Sequence, residues 1–130
     1  MAAVSVSATN GFVDAILARD FSRVGGLLHP DIDFRAMTPN RAWEASDPNG
    51  VEEVLRAWFE HPERKVERVE PMQATSVADT GRVGWRVYGR RAEGLYVYEQ
   101  QAYVREDDGL VVWLRVMCSG PRPLGSGSPA

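Results

Sequence analysis

The chain has 130 residues, 44% of them apolar and 25% charged, with a formal net charge of -3. That length suits one domain with a self-sufficient core, and the composition excludes a disordered, collagenous or membrane-spanning chain. The mildly acidic balance disfavours a nucleic-acid partner, and no segment approaches the ~18 consecutive apolar residues of a membrane helix.

All basic residues except Lys65 are arginine, and Cys118 is the only cysteine. No intrachain disulfide can form, so a reducing, cytoplasmic setting is expected. Residues 1–10 lack the basic and apolar blocks of a secretory signal.

Residues 1–9 are small and polar and are expected to fray. Asn10 then reads as the cap of an amphipathic helix in which Phe12, Val13, Ile16 and Leu17 recur at helical spacing. Asp20 fits the cap of a second, short helix with Phe21, Val24, Leu27 and Leu28 on one side. Gly25 and Gly26 weaken it by about 1 kcal/mol each relative to Ala, and His29-Pro30 ends it.

Ile32, Phe34 and Ala36 alternate with Asp31, Asp33 and Arg35, the pattern of a half-buried strand, with Arg41 to Ala45 as a hairpin partner. Asp47-Pro48-Asn49-Gly50 is a turn, and Asn49 with Glu52 reads as a capping box. The helix that follows sets Val51, Val54, Leu55 and Trp58 on one face, and His61-Pro62 stops it. Val66 to Val77, Arg82 to Arg91, Leu95 to Arg105 and Leu110 to Ser119 read as four long strands. The turns between them are Asp79-Thr80-Gly81, Ala92-Glu93-Gly94 and Asp107-Asp108-Gly109, which predicts an antiparallel meander. Residues 120–130 form a low-complexity tail that is expected to be flexible. Helices followed by antiparallel strands make an α+β domain over residues 10–119.

This element order resembles the nuclear transport factor 2-like, or SnoaL-like, cone fold. The resemblance is carried by Leu27-Leu28-His29-Pro30-Asp31-Ile32-Asp33-Phe34, by Gly50-Val51-Glu52-Glu53-Val54 and by the Asp108-Gly109 turn. It implies a curved antiparallel sheet wrapped around the N-terminal helices, with an apolar internal pocket for a small hydrophobic molecule. The family includes ketosteroid isomerases, polyketide cyclases, epoxide hydrolases, dehydratases and proteins without catalysis, so fold does not supply function.

Val83, Trp85 and Val87 share one strand face, opposite Arg82, Arg86 and Arg90, and Leu114, Val116 and Cys118 are the matching set on the last strand. Both faces of the strand between them are fairly apolar. Resemblance to the family places Leu95, Val97, Glu99, Gln101 and Tyr103 inside. Tyr96, Tyr98, Ala102, Val104, Trp113 and Met117 then fall outside as an apolar patch, and a homodimer through that face is expected.

The positions matching the isomerases' catalytic tyrosine, base and second carboxyl carry Phe12, Ala36 and Gln101. Those matching the epoxide hydrolases' set carry Glu99, Gln101 and Val116. Glu99 therefore becomes the candidate acid/base, with Gln101 and Tyr103 as hydrogen-bonding companions, while the plainer reading of the same side chain is pairing with Arg86 or another strand's arginine, or a place at the pocket rim. The candidate ligand wall is Phe12, Ile16, Phe34, Ala36, Trp43, Trp58, Val83, Trp85, Val87, Val97, Leu114, Val116 and Cys118; ordinary core packing accounts for the aromatic ones equally well.

No metal or cofactor is expected. His29, Asp31 and Asp33 read as a solvated strand start, Cys118 as a small hydrophobe, and the arginine stripe as ion pairs with Glu67, Glu70 and Glu93. Two readings stay open: a cofactor-free isomerase, cyclase or dehydratase using Glu99, and a non-catalytic ligand-binding or accessory protein.

Overall fold

A computed structural model of the chain describes residues 7–124. Helix α1 (Ala8–Ala18) is capped by Ser7 rather than Asn10: the Ser7 hydroxyl oxygen accepts from the Asn10 N–H, satisfying one orphan donor of the first turn. The Thr9 N–H donates to the Glu106 carboxylate at 2.8 Å. Residues 7–9 thus belong to the fold, and the expectation for residues 1–6 lies outside the described residues. Phe21–Leu27 winds as a 3-10 helix, the tighter form used in short pieces.

Strand β1 (Leu28–Thr38) starts earlier than expected, with His29-Pro30 inside it, and buries Ile32, Phe34 and Ala36. It turns through Pro39-Asn40 into β2 (Arg41–Ala45). Helix α2 (Pro48–Phe59) is capped by Asp47, whose carboxylate accepts from the Gly50 N–H at 2.7 Å. Pro48 occupies the first turn, where a missing N–H costs nothing, so Asn49 lies inside the helix. The expected Val51, Val54, Leu55 and Trp58 face is buried.

The predicted strand Val66 to Val77 is two strands, β3 (Arg64–Pro71) and β4 (Thr75–Val77), both antiparallel to β5 (Thr80–Arg91). β6 (Gly94–Asp107), β7 (Leu110–Cys118) and the short β8 (Arg122–Pro123) complete the sheet. Its order is β2-β1-β7-β6-β5-β3, with β4 on β5 and β8 on β6; β1 and β7 run parallel. Residues 120–124 are therefore docked: the Leu124 N–H donates to the Leu95 carbonyl at 2.9 Å. Residues 125–130 of the expected tail lie outside the described residues.

Both helices pack on one side of this curved, mostly antiparallel sheet, and strand facing decides what they meet. Around Ala92-Glu93, Arg91 pairs with Gly94, which sets Val83 opposite Ala102, Trp85 opposite Gln100 and Val87 opposite Tyr98. Directly paired residues share a sheet face. Tyr96, Tyr98, Gln100, Ala102 and Val104 consequently point inward and are buried. This corrects the sequence reading: Leu95, Val97, Glu99, Gln101 and Tyr103 line the outer face, and of the expected outer patch only Trp113 and Met117 lie outside.

The β6–β7 hairpin is compatible with that facing because of a bulge. Asp108 and Gly109 both have positive φ (55° and 79°), the two-residue type I′ geometry. Glu106 opposes Val111 but Arg105 opposes Trp113, leaving Val112 as an extra residue. Such an insertion bends the strand and shifts every later pair by one. Leu114, Val116 and Cys118 then meet Val104, Ala102 and Gln100 on the inner face.

Candidate functional site

The space between the sheet and the helices is filled by side chains. Phe12, Ile16, Phe34, Trp85, Val87 and Leu114 are each at most 1% exposed, and Ala36, Val83 and Val116 are buried beside them. These predicted wall residues are core, where close packing leaves no room for a ligand. Val97 lies on the outer face. Of the predicted wall, Trp43, Trp58 and Cys118 line a cavity of about 400 Å³ between the β1–β2 hairpin and the end of α2. That volume falls in the usual range for small-molecule sites, ~300–1,000 Å³.

The β1–β2 hairpin brings Thr38, Pro39, Arg41 and Trp43 to this cavity, and the end of α2 brings Ala57, Trp58 and, just beyond it, His61. Arg64 opens β3, Tyr98 and Gln100 come from β6, and Cys118 and Pro121 complete the wall. The Trp43 indole N–H donates to the Thr38 hydroxyl at 2.8 Å, fixing its ring edge-on to Trp58 with centroids 5.9 Å apart. The Arg41 guanidinium lies 3.5 Å from the Trp43 ring centroid, a stacked cation–π contact.

Three side chains of this wall carry donor groups: Trp58, Tyr98 and Gln100. An indole N–H can only donate, and the Trp85 N–H donates to Gln100 Oε1 at 2.7 Å. The Gln100 amide nitrogen is thereby turned away from Trp85, and it has no protein acceptor among the described residues. Trp58 Nε1 is the one buried side-chain polar atom there without any partner. Burial pushes the Tyr98 phenol well above its ordinary range, so it is a neutral hydroxyl able to donate.

Glu99, Gln101 and Tyr103 do come together, but outside the cone. Glu99 accepts from Arg86 Nε at 2.7 Å and pairs with its Nη2, with both side chains substantially exposed. Gln101 Nε2 donates to the Tyr103 hydroxyl at 3.0 Å. The plainer reading of Glu99 describes this arrangement, and no carboxylate lines the cavity. The arginine stripe is partly paired as expected, with Arg90 on Glu67 and Arg91 on Glu93, each at 3.4 Å. His29 Nδ1 accepts from the Asp31 N–H, and Asp33 is held by Arg115 at 3.1 Å. Among the described residues no three His, Cys, Asp or Glu side chains gather in a metal-binding cluster, and no helix is long and apolar enough to cross a membrane.

The sequence reading missed Thr38, Arg41, His61, Arg64, Tyr98 and Gln100. For Tyr98 and Gln100 a usable signal existed: counting pairs back from the two-residue turn Ala92-Glu93 sets Gln100 against Trp85, already assigned inward. The others sit at element ends, where periodicity carries no facing information.

No family model matches the chain, and no curated protein matches it. Solved structures do. A ketosteroid isomerase-like protein from Catenulispora acidiphila, in complex with trimethylamine, superposes with TM-score 0.63 at 9% identity, covering 84% of this chain and 82% of that one. An epoxide hydrolase from M. tuberculosis gives 0.61 at 14% identity over 86% and 80%. A nuclear transport factor 2-like protein of unknown function from Cytophaga hutchinsonii gives 0.64 at 11% identity over 85% and 96%. The fold is the nuclear transport factor 2-like cone, whose members include isomerases, polyketide cyclases and epoxide hydrolases.

Proposed function

We propose that this protein binds one small, largely planar molecule in the cavity between the β1–β2 hairpin and the end of α2, and that Glu99 takes no part as acid or base. The observation that carries the reading is a cavity walled by Trp43, Trp58 and Tyr98, with the Gln100 amide and the Tyr98 hydroxyl in its lining and no carboxylate among its described lining residues. Of the two readings open from the sequence, the binding protein is favoured over the isomerase, cyclase or dehydratase, because the Glu99 carboxylate opens away from the cavity and is engaged by Arg86.

The test uses 2-naphthylmethanol, a planar neutral probe, in titration calorimetry. Binding should be saturable with one site per chain, and Ala57→Phe, which fills the cavity from helix α2, should abolish it while leaving the melting temperature close to wild type. Equal binding by the Ala57→Phe protein would place the probe elsewhere and remove the proposal.

A second copy of the chain is proposed as partner for the outer sheet face. Met37 and Met117 are direct neighbours across β1 and β7, each 56% exposed. Together with Ala42 and Tyr103 they line a shallow groove of about 440 Å³. Exposed apolar surface of this kind favours burial against a matching surface, and a two-fold axis supplies one.

A further inference from the structure

The ionisable nitrogen groups in the cavity lining, Arg41, His61 and Arg64, face no carboxylate in that lining. Gln100 and Tyr98 in its lining are buried and carry an amide N–H and a hydroxyl, and Arg41, Arg64 and His61 in the same lining are more exposed. His61 Nδ1 accepts from the Glu63 N–H at 3.1 Å, which leaves the proton of the neutral ring on Nε2 and makes it another donor. Acidic side chains are missing from the lining altogether.

Two of the arginines, Arg41 and Arg64, line the cavity. Arg68, Arg86, Arg90, Arg91 and Arg115 each have a carboxylate within 4.0 Å. Among the described residues Arg41 and Arg64 have none, as is also true of Arg19, Arg23, Arg82, Arg105 and Arg122, but of these seven only Arg41 and Arg64 line the cavity. In a chain of net charge -3, two uncompensated guanidiniums in one lining make a local positive field against the overall sign, and a concave, low-dielectric wall focuses it.

We infer that the cavity takes an aromatic carboxylate, its anionic group received by Arg41 and Arg64 and its rings lying in the cavity beside Trp58 and Tyr98. This rests on the cavity being the binding site, as proposed above. A guanidinium recognises a carboxylate through its planar fork of donors, with charge-assisted bonds about twice as strong as neutral ones. The Gln100 amide and the Tyr98 hydroxyl then meet a second acceptor, a carbonyl or hydroxyl on the far end of the ring system. An ammonium ligand is disfavoured by the same geometry, since the face of Trp43 is already taken by the Arg41 guanidinium at 3.5 Å and a second cation would be repelled.

Calorimetry with three probes of one shape tests this: 2-naphthoate, 2-naphthylmethanol and 2-naphthylmethylammonium. The carboxylate should bind about tenfold or more tightly than the alcohol, the scale of one charge-assisted hydrogen bond, and the ammonium weakest. The preference should shrink in Arg41→Gln and in Arg64→Gln, persist in Arg23→Gln on the 3-10 helix, and fall with added salt in the unmodified protein. Alcohol binding as tight as the carboxylate, or the ammonium binding tightest, would overturn the inference and leave cavity binding standing. Failure of all three probes would overturn both.

Discussion

Trp85 donates its indole proton to the side-chain carbonyl of Gln100 across 2.7 Å, between two side chains that are respectively 0% and 1% exposed. One bond thus satisfies a buried donor in the core and turns the amide nitrogen of Gln100 away from it. Replacing Gln100 by Leu keeps the volume and leaves the Trp85 N–H unpaired. A loss of about 1–3 kcal/mol is expected, the range for stranding a buried polar group, readable by urea unfolding. Loss of naphthoate binding should accompany it. An unchanged unfolding midpoint would mean that water or a rearranged partner reaches Trp85.

Glu99→Gln removes the carboxylate that pairs with Arg86 on the outer face. The two side chains are 39% and 43% exposed, so solvent screens the pair, and exposed pairs contribute ~0–1 kcal/mol. Stability should fall by less than about 1 kcal/mol, the difference should shrink with salt, and binding of 2-naphthoate should be unaffected. A large loss of binding in this variant would return Glu99 to the site.

Tyr98 sets an alkaline limit on stability. Burial raises its folded pKa, with Cys118 and Tyr96 reinforcing the shift and Arg64 opposing it. The folded protein therefore keeps a proton that the unfolded chain releases near pH ~10. Its contribution is fully present below that pH and is lost as pH rises toward the folded value, because there the unfolded state binds fewer protons. Tyr96, also raised by burial, acts in the same direction. Unfolding free energies from about pH 8 to 11 should decline less steeply for Tyr98→Phe than for the wild type. Parallel curves would show that the phenol is solvated in the folded protein.

Met117→Glu places a charge beside Met37 at the centre of the outer apolar patch. A two-fold assembly would bring this charge close to its own copy, and desolvation adds to the repulsion. Sedimentation should show a dimer for the wild type and a monomer for the variant, with little change in the cavity's affinity for 2-naphthoate. A monomeric wild type at micromolar concentration would remove the proposed partner.

The α+β architecture, the helix faces carrying Phe12, Ile16, Val51, Leu55 and Trp58, and the inward sets Val83-Trp85-Val87 and Leu114-Val116-Cys118 were legible in the sequence. Each rests on a local period, 3.6 or 2, that burial imposes directly on residue choice. Caps were less legible, since Ser7 and Asp47 compete with Asn10 and Asn49, equally suited by chemistry, and packing of the helix start chooses between them.

The facing of β6 was decided by tertiary structure. Its two faces are both rich in apolar residues, so alternation gives no direction. The hairpin counts conflict as well: from Ala92-Glu93 they turn Gln100 inward, whereas from Asp108-Gly109 an unbroken ladder would set Gln101 against Val116. The bulge at Val112 resolves that conflict. One extra residue leaves no period in the sequence, yet it exchanges the whole set Glu99, Gln101 and Tyr103 for Tyr98 and Gln100 at the cavity. The cavity itself is likewise a product of three dimensions, because Arg41, His61 and Arg64 lie at ends of separate elements and only the tertiary fold brings them to one lining.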